Sequence, residues 1–370
     1  YVTPSDLEKM KGIPLLHRDS EGNSGRYNNK RTPLFRTRYP DVPFTILADP
    51  SSTHFGFPRS TCAFLGEWIV EADKARNPNG ALPLVPVDPD KGWFVAFWRY
   101  DAPPLAKSAP VAEYARNDGN WVFNERIANL LQEHDMAHNG KKHCIAAFQQ
   151  DGELVPDKGG HVGFFLKFEP AEDGLRFPLS AAFRTRATEG RQAGWAGVQP
   201  GDPLETPNDA RQIEISRICG PVEILGDGYA AVRFDRYGIN RSRRANSISA
   251  LLTYPGDKEF RASEIPAELR VPIRNERGAA QTIDFPALPD VQDGTKTLKL
   301  NAVSSSGLPV EYFVDYGPAW LLDGVLHFTE TPACTQGPVE VKVTAWQYGR
   351  TADPAIQSAE PVSRTFRILR

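Results

Sequence analysis

The first candidate for chemistry in this sequence is His54, which follows an apolar run and a short turn segment. Phe44–Ala48 has the composition of a short buried strand, and the polar stretch Asp49–Thr53 separates it from the histidine. Pro58–Arg76, which comes next, has the spacing of an amphipathic helix. Open α/β folds place their chemistry outside the carboxyl ends of their strands, on loops of this kind. We therefore expect His54 to be a catalytic base at the centre of a possible active site.

A second group of polar side chains, His134, His138 and His143, has the spacing H-x3-H-x4-H. The first two share one face of a predicted helix, Asn124–Ala137, which is how two imidazoles meet a metal. No intervening glutamate or acidic third ligand accompanies them. Histidine and lysine near a helix C-terminus also complement the helix dipole. We therefore predict a solvated polar helix end here, with no metal site and no cofactor.

Aromatic side chains are candidates for stacking on the apolar faces of sugar rings. Trp195 is the strongest, because Arg191–Gly197 (RQAGWAG) has the glycines of an exposed loop. We predict Trp195 as the residue that contacts substrate. Other aromatic residues lie in strands whose alternation predicts that they face the core: Trp93, Trp98, Tyr100 and Trp121.

The overall composition limits the classes of partner. The chain has 370 residues, 40% hydrophobic and 24% charged, with a net charge of −3. This charge gives no electrostatic case for nucleic acid or an anionic membrane surface, and no stretch approaches the roughly 18 apolar residues of a membrane span. The cysteines are far apart and predict neither a disulfide framework nor a zinc site. We expect all four to be small buried hydrophobes: Cys62, Cys144, Cys219 and Cys334.

The elements around His54 predict a partial α/β domain over residues 1–80. Gly12–His17 is a predicted strand, Arg18–Gly25 a polar loop rich in turn residues, and Asn28–Tyr39 a predicted helix. The predicted order is therefore strand, acidic loop, helix, strand, histidine loop, helix. Two strands alone do not make a stable α/β sheet.

The remainder of the chain is predicted to be mainly β. Residues 81–92 are rich in proline, asparagine and glycine and predict an extended linker. Residues 93–280 predict a β-sandwich or jelly roll with one helix, with strands at Trp93–Trp98, His161–Phe168, Leu179–Thr185, Gln212–Ile218, Tyr229–Phe234, Ser247–Tyr254 and Leu269–Ile273. Residues 281–370 predict a separate Ig-like sandwich, with strands at Thr297–Ala302, Val310–Tyr316, Val325–Thr329, Val339–Tyr348 and Ser363–Leu369.

The segments GIPLLHRD and PFTILADPSSTH, with the helix to Arg76, resemble the C-terminal end of an α/β-hydrolase, which carries an acid after one strand and a histidine after the next. The resemblance implies His54 as the base and Asp19 as the acid that orients it, with Glu21 and Asp49 as alternatives. That family's nucleophile lies on a G-x-S-x-G turn, which these residues lack. We therefore expect a C-terminal portion that is catalytically incomplete and needs the N-terminal part of the catalytic domain as its partner.

Residues 281–370 open with QTIDFPALPD and contain SSSGLPV at Ser304–Val310. Both segments resemble the Ig-like repeats of bacterial surface and secreted proteins. The resemblance implies an exported, multidomain bacterial protein, secreted or periplasmic.

Together, these features predict the C-terminal region of a secreted bacterial serine esterase-type hydrolase that acts on an ester or carbohydrate substrate. One alternative is a non-catalytic carbohydrate-binding or surface module made of β-domains. Another is a glycan-acting jelly-roll enzyme, which needs paired carboxylates about 5–10 Å apart.

Overall fold

A computed structural model describes residues 9–20, 39, 41–49, 52, 59–96, 108–113, 119–138, 140–156, 164–171, 173–188, 198–209, 212–234, 236, 246–331 and 334–369. In these ranges the chain is mainly β, with two α-helices. The chain divides into two compact units. The first comprises Tyr1–Phe165, Ala181–Ser216 and Ala250–Ala267, and the second Leu166–Ser180, Arg217–Ser249 and Glu268–Arg370.

The helices and strands follow one another closely in the sequence. The first part of the chain contains β1 (Leu15–Ser20), β2 (Phe44–Asp49), α1 (Arg59–Arg76), a 3₁₀ turn (Pro89–Lys91), β3 (Trp93–Ala96), β4 (Ser108–Pro110), a 3₁₀ turn (Val111–Glu113), β5 (Gly119–Val122), α2 (Glu125–Met136), β6 (Ala146–Gln150), β7 (Glu153–Leu154) and β8 (Phe164–Phe165). The middle part contains β9 (Arg176–Pro178), β10 (Ser180–Phe183), β11 (Glu214–Cys219), β12 (Val222–Ile224), β13 (Tyr229–Val232), β14 (Ser247–Tyr254) and β15 (Ser263–Arg270). The last part contains β16 (Ile283–Asp284), β17 (Val291–Gln292), β18 (Thr297–Lys299), β19 (Val303–Ser304), β20 (Glu311–Tyr316), β21 (Ala319–Leu322), β22 (Val325–Phe328), β23 (Val339–Trp346) and β24 (Val362–Leu369).

Both helices of the first unit are amphipathic and bury one face, as their spacing predicts. The buried side chains of α1 are Thr61, Phe64 and Trp68, and those of α2 include Ile127, Ala128 and Leu131. Asn124 caps α2, because its side-chain oxygen accepts a hydrogen bond from the Ile127 amide at 3.0 Å. Ile69 of α1 is exposed although it is apolar. It follows Trp68 directly, and one residue turns the helix by about 100°, away from the buried face.

The parallel pair β1 and β2 has a further strand beside it. β1 and β2 align from Leu15 opposite Phe44 to Ser20 opposite Asp49. β5 lies along β2, where the Ile46 amide donates to Oδ1 of Asn120 at 2.8 Å. β5 in turn belongs to an antiparallel sheet in the order β4–β3–β5. β2 and β5 stay in separate sheets, and the contact between them brings in a strand from much later in the chain.

A single hydrophobic cluster joins these strands to both helices. Its buried members are Leu47, Phe64, Trp68, Val95, Val122, Ile127, Ala128 and Leu131. They come from both sides of residues 81–92 in the sequence. The domain ranges given above from the sequence stay predictions.

The middle part of the chain forms several small sheets, in the orders β10–β6–β7, β11–β14–β15–β8 and β12–β13–β9. The predicted strand at Ser247–Tyr254 is confirmed to the residue, with alternating burial. The prediction at Leu269–Ile273 was misplaced, since the strand runs over Ser263–Arg270 and includes Pro266, a residue type that argues against a strand. The jelly-roll assignment stays a prediction.

The described residues of 281–331 and 334–369 form an Ig-like β-sandwich. One sheet has the order β17–β24–β23–β20, with β17 parallel to β24 and the other pairs antiparallel. The other is the antiparallel sheet β18–β22–β21. Two sheets that share an apolar interior define a sandwich. The core between them includes Phe285, Leu326, Val341, Val343, Ala345 and Phe366.

Candidate functional site

A buried network of charged and polar side chains surrounds Asp49, the last residue of β2. The Asp49 side chain has no solvent exposure. Arg18 of β1 forms an ion pair with it, Nε donating to Oδ2. The other oxygen, Oδ1, accepts a hydrogen bond from the Thr61 hydroxyl at 2.5 Å and lies 3.3 Å from Nε2 of His134. One carboxylate thus links the ends of two parallel strands to both helices.

Ser52 extends this network beyond the end of β2. Nη2 of Arg18 donates to the Ser52 hydroxyl oxygen at 2.9 Å, and that hydroxyl donates to the Asp49 carbonyl at 3.1 Å. Asp49 is also bonded to Thr61, in the first turn of α1. Ser52 and Thr61 are therefore both bonded to Asp49, at the carboxyl end of β2.

His134 is part of the buried network. Its Nε2 lies 2.9 Å from the Ala48 carbonyl oxygen and 3.3 Å from Oδ1 of Asp49. Both neighbours accept hydrogen bonds, so we assign the hydrogen to Nε2. The prediction of a solvated helix end is wrong at this residue, because the last turns of α2 pack against the end of β2.

Burial and pairing act in opposite directions on the two ionisable groups at the centre. Burial alone would raise the pKa of Asp49, but the hydrogen bond from His134, the charge of Arg18 and the Thr61 hydroxyl together lower it below its ordinary value. Burial would likewise lower the pKa of His134, but the hydrogen bond to Asp49 and the charges of Asp135 and Asp49 raise it. The structure therefore favours an ionised Asp49 facing a protonated His134.

Three further titratable side chains lie around this pair, each with a buried polar atom that lacks a hydrogen-bond partner in the part of the chain that the structure describes. These atoms are Oδ1 of Asp135, Nδ1 of His138 and Oε2 of Glu264. Glu264 reaches the network from β15, since its backbone forms an isolated bridge with Ser52. Buried polar groups are normally bonded, so three exceptions around one ion pair set this network apart from an ordinary structural ion pair.

Burial dominates the titration of all three groups. It raises the pKa of Asp135 to about 8 and that of Glu264 to about 7, and the charge of Asp49 adds to both shifts. It lowers the pKa of His138 to about 4, with the charges of His134 and Arg261 adding to the shift. At neutral pH, Asp49 is therefore ionised and Asp135 is protonated, while Glu264 is close to the midpoint of its titration. Such a set can accept and return a proton.

Asp49 itself is a structural ion, because hydrogen-bond donors engage both of its oxygens. Oε2 of Glu264 is buried and has no hydrogen-bond partner in the part of the chain that the structure describes, so Glu264 is a better proton carrier than Asp49. Among the described residues, no group of three histidine, cysteine, aspartate or glutamate side chains is arranged to hold a metal ion.

The residues predicted from the sequence have separate outcomes. His54, Glu21 and Trp195 lie outside the described residues. Asp19 lies within β1, opposite Ala48, and not in the loop where the sequence placed it. The roles of His54, Asp19 and Trp195 stay predictions.

The burial of other side chains agrees with the sequence in some places and differs from it in others. Trp121 is buried, as its strand predicts, and its indole nitrogen donates to the Pro89 carbonyl at 3.0 Å. Of the cysteines, Cys144 alone is buried, and the prediction of burial is wrong for the other three, Cys62, Cys219 and Cys334. No helix in the described ranges is long and apolar enough to cross a membrane.

Sequence reasoning missed most of the network. The sequence placed Arg18 in a polar loop and Thr61 in a helix, and it assigned no role to Glu264. The one usable signal was a carboxylate at the end of an apolar strand, which made Asp49 a rival acid. A buried carboxylate needs donors, but their places in the sequence depend on how β1, α1, α2 and β15 pack.

Comparison with known proteins gives matches among solved structures only. No protein-family model matches the chain, and no curated protein matches it. Among solved structures, human protocadherin-24 EC1-2 is 11% identical to this chain. The match covers 47% of this chain and 89% of the protocadherin chain, with a TM-score of 0.20. Drosophila N-cadherin EC1-4 is 12% identical over 68% of this chain and 51% of its own, with a TM-score of 0.19. Mouse cadherin-23 EC22-24 is 13% identical over 61% of this chain and 67% of the cadherin chain, with a TM-score of 0.19. Scores of this size do not establish a shared fold.

Proposed function

We propose that this chain is the C-terminal region of a secreted or periplasmic bacterial hydrolase of the α/β-hydrolase kind, which acts on a carboxylic or carbohydrate ester. One observation supports the proposal above others: a buried network around Asp49 holds the carboxyl ends of β1 and β2 together. His54 follows Ser52 of that network by two residues in the sequence, and Asp19 belongs to β1.

In the proposed reaction, a serine outside these 370 residues attacks the ester carbonyl. His54 accepts the hydroxyl proton as the new C–O bond forms and gives it to the departing alcohol as the old one breaks. Asp19 orients His54 through the other ring nitrogen. Water then releases the acid from the acyl-enzyme by the same proton transfers, and the serine is restored.

Ester hydrolysis by two proteins tests the proposal. The chain alone is expected not to hydrolyse p-nitrophenyl acetate, and the chain extended by its natural upstream sequence is expected to do so. In the extended protein, His54→Ala should lower turnover by about 10⁶-fold, as removal of a triad histidine does. His17→Ala, an exposed histidine on β1, should leave turnover unchanged.

Two results would contradict the proposal. If the upstream sequence carries no G-x-S-x-G, or if His54→Ala keeps full turnover in the extended protein, the hydrolase assignment is wrong. If the chain alone hydrolyses the ester and His54→Ala abolishes this, the nucleophile lies within these residues and the claim of incompleteness is wrong.

A further inference from the structure

The outer face of one sheet of the Ig-like sandwich carries an unusual set of side chains. In β18, β22 and β21, the row Leu298, Leu326 and Leu321 points into the core. Side chains alternate along strands, so the rows on either side point outward. Those outward rows are Thr297, His327 and Trp320, and Lys299, Val325 and Leu322.

This outer face, defined by those six residues, is more apolar than a solvated sheet face requires. Antiparallel sheets that cover a core normally show polar side chains to water. Here Trp320 is 47% exposed and Leu322 is 51% exposed. Among the described tryptophans Trp320 is the exposed one, since Trp68, Trp121 and Trp346 are buried and Trp93 is partly buried.

The indole of Trp320 is held in place as a flat platform. Its ring stacks on the imidazole of His327, with centroids 4.4 Å apart and an angle of 17° between the planes. β21 is at the edge of its sheet. The imidazole therefore covers one side of the indole, and the Trp320 side chain as a whole stays about half exposed.

The charge on the outer face selects the class of ligand. Lys299 and His327 are its ionisable members, and none of the six residues is a carboxylate; Asp323 lies in the turn at one end. An exposed ammonium and the Thr297 hydroxyl can donate hydrogen bonds to carboxylates and hydroxyls. A flat aromatic ring and such donors on one sheet face suit a polysaccharide whose sugar rings carry carboxylates.

We infer that the outer face of β18, β22 and β21 is a binding site for an acidic polysaccharide, in which Trp320 stacks on one sugar ring and Lys299, two strands away, pairs with the carboxylate of another ring of the same polymer. The sheet is about 10 Å wide, from three strands spaced by about 4.8 Å. This site is independent of the proposed hydrolase site, and its role is to hold the protein on a charged polymer.

Native gel electrophoresis in the presence of polygalacturonate tests this inference directly. We expect polygalacturonate to retard the 370-residue chain more strongly than a neutral β-glucan does. Trp320→Ala should weaken binding at least about 10-fold, as loss of a central aromatic contact does. Trp320→Phe should retain part of the binding, because it keeps a flat ring. Ile69→Ala, which removes an exposed apolar side chain elsewhere, should leave binding unchanged.

Three further measurements make the result decisive. Lys299→Ala should weaken binding and also reduce its dependence on ionic strength, since exposed charge pairs are screened by salt. Circular dichroism melting should show that Trp320→Ala remains folded. The inference is wrong if polygalacturonate does not retard the parent chain, or if folded Trp320→Ala binds as the parent does. Sedimentation velocity that shows a dimer in the parent and a monomer in Trp320→Ala would instead assign the face to a second copy and overturn the inference.

Discussion

Asp49 shows how one buried carboxylate can organise several elements at once. Its oxygens are engaged by Arg18, Thr61 and His134, from β1, α1 and α2. A buried ion pair gains little net stability over an apolar replacement, but removal of one partner leaves an uncompensated charge. Removal of either Arg18 or Asp49 alone should therefore destabilise the fold more than replacement of both.

A double-mutant cycle on Arg18 and Asp49 tests this cost. Arg18→Met and Asp49→Leu should each lower the free energy of unfolding by about 3–5 kcal/mol, because each leaves a buried charge. The double variant should cost less than the sum, because both charges are gone. Urea unfolding measures all four proteins.

The exposed pair Arg126 and Glu67, at 2.6 Å, serves as the control cycle, with an expected coupling below about 1 kcal/mol. Effects of Arg18→Met and Asp49→Leu that add within about 0.5 kcal/mol would mean that the two side chains are not coupled.

At the scale of elements, the start of α2 illustrates a boundary that the sequence determines locally. The side-chain oxygen of Asn124 accepts a hydrogen bond from the Ile127 backbone amide. Nδ2 of Asn124 donates to Oε2 of Glu71 at 2.9 Å, and this bond joins α2 to α1. The first contact could be predicted from residue type, because asparagine is a favoured N-cap. The second depends on how the two helices pack.

Substitution of Asn124 separates the two contacts. Asn124→Ala should lower the free energy of unfolding by about 1 kcal/mol, because the first turn of α2 loses its cap. Asn124→Ser keeps a capping oxygen but no amide donor, so it should recover most of that loss. Urea unfolding followed by far-UV circular dichroism measures both. Equal losses in the two variants would show that the contact with Glu71 matters more than the cap.

β21 is the element whose omission mattered most in the sequence analysis. Its four residues, AWLL, are too short for clear alternation, and Pro318 precedes them. The signal that could have found it is Asp323-Gly324, a dipeptide typical of two-residue hairpins. Both residues have positive φ, 48° and 73°, and they join β21 to β22. The hairpin places Trp320 opposite His327.

For the molecule as a whole, the buried network predicts how stability depends on pH. Glu264 and Asp135 have pKa values raised to about 7 and about 8, so the folded state keeps protons that the unfolded state loses, and stability falls as pH rises. The raised pKa of His134 acts in the same direction above its ordinary value of 6.5. His138, with its pKa lowered to about 4, acts oppositely, but only below pH 6.5.

We therefore expect the free energy of unfolding to fall between pH 6.5 and about 8. Glu264→Gln removes one of these groups, so relative to the parent it should gain up to about 3 kcal/mol between pH 4.5 and about 7. Glu268→Gln, an exposed residue on the same strand, is the matched control and should follow the parent. Urea unfolding at several pH values measures the three proteins. Parallel pH profiles for Glu264→Gln and the parent would show that Glu264 is not buried as a neutral acid.

The sequence by itself determined what depends on near neighbours in the chain. The periods of 3.6 and 2 residues identified α1, α2, β14 and most strands of the Ig-like sandwich, since these elements bury one face in a regular pattern. The sequence also marked the end of β2 as a place for chemistry, with Asp49 among the candidate acids. The hydrolase assignment itself stays a proposal.

Only the tertiary structure decided which distant residues meet. Glu264 and His134 join Asp49, and β5 lies beside β2, because packing of strands and helices brings together segments far apart in the sequence. The same packing buried His134, left Cys62 exposed and turned Trp320 outward. Burial and partner choice are properties of surfaces in contact, and local sequence carries no direct record of the opposing surface.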